Sequence, residues 1–144
     1  MGLLAGGAEA VERVLRERTD VFERERAIVA VAVGTELAAT LAGSAVGGAR
    51  HVESADDAGQ LLDSETVDLA IAPAGAIAAS AELRELRRIL RPGGRLVVPV
   101  QSGAAAPCAR RLAGAGFLVL RATEDGGAVT VLIAVRGEFA AYAA

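Results

Sequence analysis

The apolar positions of this chain fall into blocks of two alternating periods. Residues 8–25 carry Val11, Val14, Leu15, Val21 and Phe22 at helical spacing, with Arg and Glu on the other face. This predicts one or two amphipathic helices, with Thr19-Asp20 as a break and new N-cap. Residues 27–33 form a continuous apolar run closed by Gly34, with the length and β-branching of a strand buried on both sides. A short helix over 36–42 and a flexible stretch over 43–48 follow. Residues 49–53 predict a second short strand, and Ser54 caps a helix over 55–62 whose first turn holds Asp56 and Asp57.

The second half repeats the alternation. Residues 67–72 predict a strand closed by Pro73, and Ser80 is the expected N-cap of a helix reaching Leu90. Leu83, Leu86, Ile89 and Leu90 make the apolar stripe of that helix. Arg87, Arg88 and Arg91 gather near its C-terminus, where cations suit the helix dipole. Pro92-Gly93-Gly94 ends it, and a strand follows over 95–100. A small-residue helix over 104–115 stops at Gly116. A strand over 117–120, a turn over 124–127 and a strand over 128–135 complete a hairpin. The expected organisation is one domain, 1–144: a helical segment 1–26, an α/β core 27–136 and a tail 137–144.

Strands alternating with helices and ending in a hairpin predict a doubly wound α/β sheet, mostly parallel, with an antiparallel C-terminal hairpin. The run Glu82-Leu83-Arg84-Glu85-Leu86-Arg87-Arg88-Ile89-Leu90-Arg91-Pro92-Gly93-Gly94-Arg95-Leu96-Val97-Val98 resembles the late helix-turn-strand of class I S-adenosylmethionine-dependent methyltransferases. So does the junction Ala113-Gly114-Ala115-Gly116-Phe117. The resemblance, over residues 28–136, implies a Rossmann-like methyltransferase-type fold. The short distance from Glu53 to the helix before Val67-Asp68 implies that about one strand-helix unit is missing.

In active members of that family, the first strand ends in an acid followed by a glycine-rich loop that lets the cofactor approach the backbone. Laid on this chain, the acid position is Ala30 and the glycine positions are Ala32, Gly34 and Glu36. Glu36 would set a Cβ and a carboxylate where the cofactor approaches, so it repels the cofactor's own carboxylate. Glu53 falls at the ribose-binding acid, with a surface acid as the plainer reading. Ala72-Pro73-Ala74-Gly75 replaces the polar segment of amino-methylating members and offers no base. Asp68 resembles an acid the family carries inside this strand, and a structural role suits it.

The chain also resembles the N-terminal domain of the anamorsin family of iron-sulfur assembly proteins, on residues 52–62, 67–98 and 129–139. That family's domain is regarded as non-catalytic and partner-binding, and its clusters are held by a cysteine-rich region with no counterpart here. Three readings follow. The first is a scaffold or protein-interaction module that binds no cofactor, has no catalytic or metal residues, and meets another protein or a neighbouring domain. The second is an active small methyltransferase contacting S-adenosylmethionine through Gly34 and Glu53. The third is an oligomeric building block that buries its Arg/Glu helix and apolar tail against a second copy.

Composition narrows the remainder. The 144 residues are 53% hydrophobic but only 3% aromatic, so Val, Leu, Ile and Ala must build the core. A net charge of −3 supplies no global basic field for nucleic acid. Every basic residue other than His51 is arginine. His51 reads as an ordinary surface or half-buried histidine. Cys108, the single cysteine, forms no intrachain disulfide and reads as small core filler at a helix start. No signal-peptide pattern opens the chain, and the uncharged stretch over 69–81 is too short for a bilayer. A cytoplasmic protein that does not enter the membrane is expected.

Overall fold

A computed structural model of the chain describes residues 7–17, 30–34, 49–52, 55–125 and 128–137. Six strands make one sheet: β1 (Ala30–Val33), β2 (Ala49–Val52), β3 (Val67–Ile71), β4 (Leu90–Gln101), β5 (Phe117–Asp125) and β6 (Val129–Arg136). Their order is β2-β1-β3-β4-β6-β5. The first four run parallel, and β6 is antiparallel to both β4 and β5. This is the expected mostly parallel sheet with an antiparallel end. Among the described residues four α-helices accompany it: α1 (Gly7–Glu17), α2 (Ala55–Leu61), α3 (Ser80–Ile89) and α4 (Ala105–Gly114). Among the described residues α2 is the one element between β2 and β3, as the shortened reading expects.

Alternation along each strand sorts the core into two layers. Val31, Val33, Ala70, Ala72, Leu96, Val98, Val100, Leu132 and Ala134 pack with Ala58, Leu83, Leu86, Ile89, Cys108 and Leu112 from α2, α3 and α4. On the other face α1 packs across β4 and β6 with Ala10, Val11 and Val14 buried. The apolar stripe of α1 is therefore spent inside the chain. The part of the N-terminal helical prediction beyond Glu17, the helix over 36–42, and most of the tail lie outside the described residues.

Helix α3 differs from its expected bounds at both ends. Its N-cap is Ala79, extended at φ −94 and ψ 145, and Ser80 is the first helical residue. The cap N–H is held instead by Glu82, whose Oε1 accepts from Ala79 N at 3.1 Å. At the other end the helix stops at Ile89, because Leu90 turns extended (φ −74, ψ 140) and pairs with Val67 as the start of β4. The Pro-Gly-Gly turn therefore sits inside the strand rather than ahead of it. Between Val67 and Leu69 of β3, β4 advances from Leu90 to Arg95 and carries the turn as an irregularity. Leu83, Leu86 and Ile89 are buried by this helix, each contributing about 1.5–3 kcal/mol.

Two arginines lock α3 and the strand ends together. Arg88 donates from Nη2 to the carbonyls of Gly59 and Leu62, at 2.5 and 3.2 Å, and from Nη1 to Ser64 Oγ at 2.9 Å. It thereby satisfies carbonyls that the end of α2 leaves open. Arg136 donates from Nη1 to the Leu90 carbonyl and faces Glu65 at 3.5 Å.

The C-terminal hairpin is longer than expected. Strand β5 runs to Asp125, with Glu124 opposite Thr130 and Asp125 opposite Val129, where a turn was expected. Leu120 is an extra residue between the Val119–Ala134 and Arg121–Ile133 pairs. Helix α4 starts at Ala105, after a 3₁₀ turn over Ser102–Ala104, and Gly116 ends it with φ +94.

Candidate functional site

The chain leaves β1 for β2 on one side and returns to β3 on the other. In an open parallel sheet the crevice beyond the carboxyl ends at such a reversal is where ligands bind. Here its described rim consists of Gly34, Val52 and the residues that follow Ile71.

Gly34 has φ +94 and donates its N–H to the Val52 carbonyl at 2.8 Å. That bond extends the β1–β2 ladder into a backbone region that only glycine adopts without strain. The turn accounts for this glycine with or without a ligand. Among the described residues, nothing lies within 4 Å of a Cβ built on Gly34. Glu53 and Glu36 lie outside the described residues.

Ala30 and Ala32 both lie in the paired strand β1. Ala30 is paired with Ala49 and Leu69, and Ala32 with His51 and Ile71. Ala32 is fully buried, so its methyl group is core and not the wall of a loop.

Beyond β3, Ala72 N–H donates to the Val97 carbonyl at 3.1 Å. A 3₁₀ turn over Ala74–Ile77 then closes with Ala76 N–H on the Pro73 carbonyl at 2.9 Å, and buries Ile77. Residues 72–79 carry no side chain able to hydrogen-bond or exchange a proton.

The other singled-out residues do not converge on this rim. Asp68 is near the amino end of β3, about 13 Å of strand from Ala72 at ~3.3 Å per residue. It faces Arg91 Nε at 3.7 Å. His51 is exposed on β2, the edge strand. Cys108 is buried in α4 with Leu112 and Phe117, as core filler. Among the described residues, no group of three or more His, Cys, Asp or Glu could hold a metal ion. No helix among them is long and apolar enough to cross a membrane.

Two features had no sequence signal. Thr130 is buried in β6, and its Oγ1 donates to Ser102 Oγ at 2.9 Å just past the carboxyl end of β4. A threonine in a β-branched run reads only as a strand former. The second is a gathering of arginines at the amino ends of β3 and β4, contributed by α3 and by Arg136.

Solved structures share this arrangement. One is a chain from the complex of the Haloferax volcanii Trm112 methyltransferase activator with a methyltransferase, at 13% identity and TM-score 0.63, covering 92% of this chain and 95% of that one. The [4+2]-cyclase SpnF matches at 13% identity and TM-score 0.66, covering 90% and 82%. The Burkholderia thailandensis 1,6-didemethyltoxoflavin-N1-methyltransferase, bound to 1,6-didemethyltoxoflavin and S-adenosylhomocysteine, matches at 13% identity and TM-score 0.58, covering 92% and 79%. The likeness is one of fold, and the chain has a Rossmann-like methyltransferase fold. No protein-family model and no curated protein matches its sequence. The resemblance to anamorsin rests on the quoted residues alone.

Proposed function

We propose that this chain is a methyltransferase-fold domain with a degenerate cofactor site, acting as a non-catalytic scaffold or protein-interaction module. The observation that carries the reading is the rim beyond β3. From Ala72 to Ala79 it offers only apolar side chains and backbone where amino-methylating members carry polar ones. Ala30 and Ala32 inside β1 support it, since the acid and first glycine of the cofactor motif are replaced by strand alanines. Fold alone does not carry methyl transfer; a cyclase shares this one. A chain with this fold occurs in a complex with a methyltransferase activator, which favours another protein or a neighbouring domain as the partner. An anamorsin-like role in the cytoplasm is the particular form we favour, without nucleic acid or membrane as partner.

Isothermal titration with S-adenosylmethionine tests the reading. The expected result is no saturable heat; micromolar binding overturns it. One observation favours a second reading. Gly34 turns at the carboxyl end of β1 with no described residue within 4 Å of a Cβ built there, and a neighbour of this fold holds S-adenosylhomocysteine. Under that reading the chain is a small methyltransferase contacting the cofactor through Gly34 and Glu53. Loss of binding in Glu53→Ala would then accompany binding by the unaltered chain.

A further inference from the structure

Arg84, Arg87 and Arg88 stand at i, i+3 and i+4 on α3, so one helix face presents all three. Arg136, Glu65 and Glu85 complete the charged wall of a groove of about 340 Å³ in front of them. The groove opens at the amino ends of β3 and β4, the edge of the sheet opposite Gly34.

Its charges do not cancel. Glu85 is engaged by Arg88 at 2.9 Å and Glu65 by Arg136 at 3.5 Å. Neither Arg84 nor Arg87 has a carboxylate partner among the described residues. Four guanidinium groups thus meet two carboxylates, leaving an excess of two positive charges. The Nε atoms of Arg87 and Arg136 are buried without hydrogen-bond partners among the described residues. Burial, and then the neighbouring Arg136 charge, lowers the Arg87 pKa from its ordinary value. Like charges held in partial burial are unfavourable until an anion joins them.

We infer that this groove is a binding site for a phosphate group, free or as a small monoester. A phosphate carries about −1.5 to −2 charges near neutral pH. That matches the excess of two, where a single carboxylate would supply half. The Arg84 fork, with no hydrogen bond among the described residues, presents paired donors to phosphate oxygens, while Arg87, Arg88 and Arg136, whose donors already reach the Gly137, Gly59, Leu62 and Leu90 carbonyls, contribute charge. The volume lies at the lower end of the roughly 300–1,000 Å³ typical of small-ligand sites. The site is separate from the crevice at Gly34 and stands whether or not that crevice binds a cofactor.

The test is isothermal titration of the full chain with inorganic phosphate, at ionic strength held constant with chloride. Saturable binding is expected, weakened about tenfold or more by Arg84→Gln. Arg84 is exposed, so this variant keeps its fold, which circular dichroism verifies. Arg110→Gln, which removes an exposed arginine of α4 outside the groove, leaves binding unchanged. A parallel titration with a nucleoside monophosphate separates the sources. Equal affinity identifies phosphate as the whole recognised group, and tighter binding adds the organic part of an ester. No saturable heat with either ligand, or equal weakening in both variants, overturns the site.

Discussion

The Arg87 guanidinium lies against the backbone of Gly116: a Cβ placed on that glycine would stand 2.6 Å from Arg87 Nε. From there Arg87 Nη2 donates to the Gly137 carbonyl at 3.1 Å. Gly137 in turn donates its N–H to the Gly116 carbonyl at 3.0 Å. The residue that ends α4 is thus also the bed for an arginine of α3 and the anchor for the chain leaving β6.

Gly116→Ala is expected to destabilise the fold by ~1–2 kcal/mol from its positive φ alone, with a further loss from displacing Arg87. In an Arg87→Ala background only the backbone strain remains, so the penalty should shrink. Urea denaturation of the double-mutant cycle measures the difference. An equal penalty in both backgrounds would show that the arginine contact contributes nothing.

The cap of α3 can be improved. Ala79 occupies the N-cap with extended backbone and no side-chain acceptor. Ala79→Ser supplies an oxygen for the open N–H groups of the first turn and should stabilise by ~0.5–2 kcal/mol. Glu82→Ala removes the bond to Ala79 N–H and should lower the melting temperature. Thermal denaturation followed by circular dichroism reads both.

Leu86 is fully buried between α3 and the sheet. Leu86→Ala should cost ~2–5 kcal/mol, combining lost transfer energy with a cavity. Leu118, 62% exposed on β5, is the matched control, and Leu118→Ala should change stability by ~0.5 kcal/mol or less.

Gly34 separates backbone need from ligand need. Gly34→Val should destabilise more than Gly34→Asn, because asparagine tolerates positive φ far better than a β-branched residue. S-adenosylmethionine should leave the melting temperature of all three proteins unchanged. A rise in the unaltered chain that Gly34→Val abolishes would favour the cofactor-binding reading instead.

The elements legible in the sequence were those whose burial writes its own period. The β3 run around Leu69 and Ile71 and the Leu83-Leu86-Ile89 stripe needed no partner to be recognised. Errors came where a distant partner decides. Leu90 continues the helical stripe, yet pairing with Val67 and the bias against αR ahead of Pro92 draw the chain extended. Glu124 and Asp125 read as a turn, and β6 alone makes them strand. The alanines at positions 30 and 32 and the strand that holds them were visible in sequence, but not the register that sets Ala30 against Ala49 and Leu69 and Ala32 against His51 and Ile71. The arginine groove was invisible because Glu65, Arg87 and Arg136 share no local motif.

The position of β6 sets the timetable of folding. Among the described strands it comes last in the chain, yet it lies between β4 and β5 and pairs with both. Until Val129 to Arg136 has left the ribosome, β5 has no ladder to join and β4 presents an open edge. Unpaired edges of this kind invite association with other chains. The sheet is thus complete only when β6 sits between β4 and β5, and Arg136, reaching both Leu90 and Glu65, fastens it there.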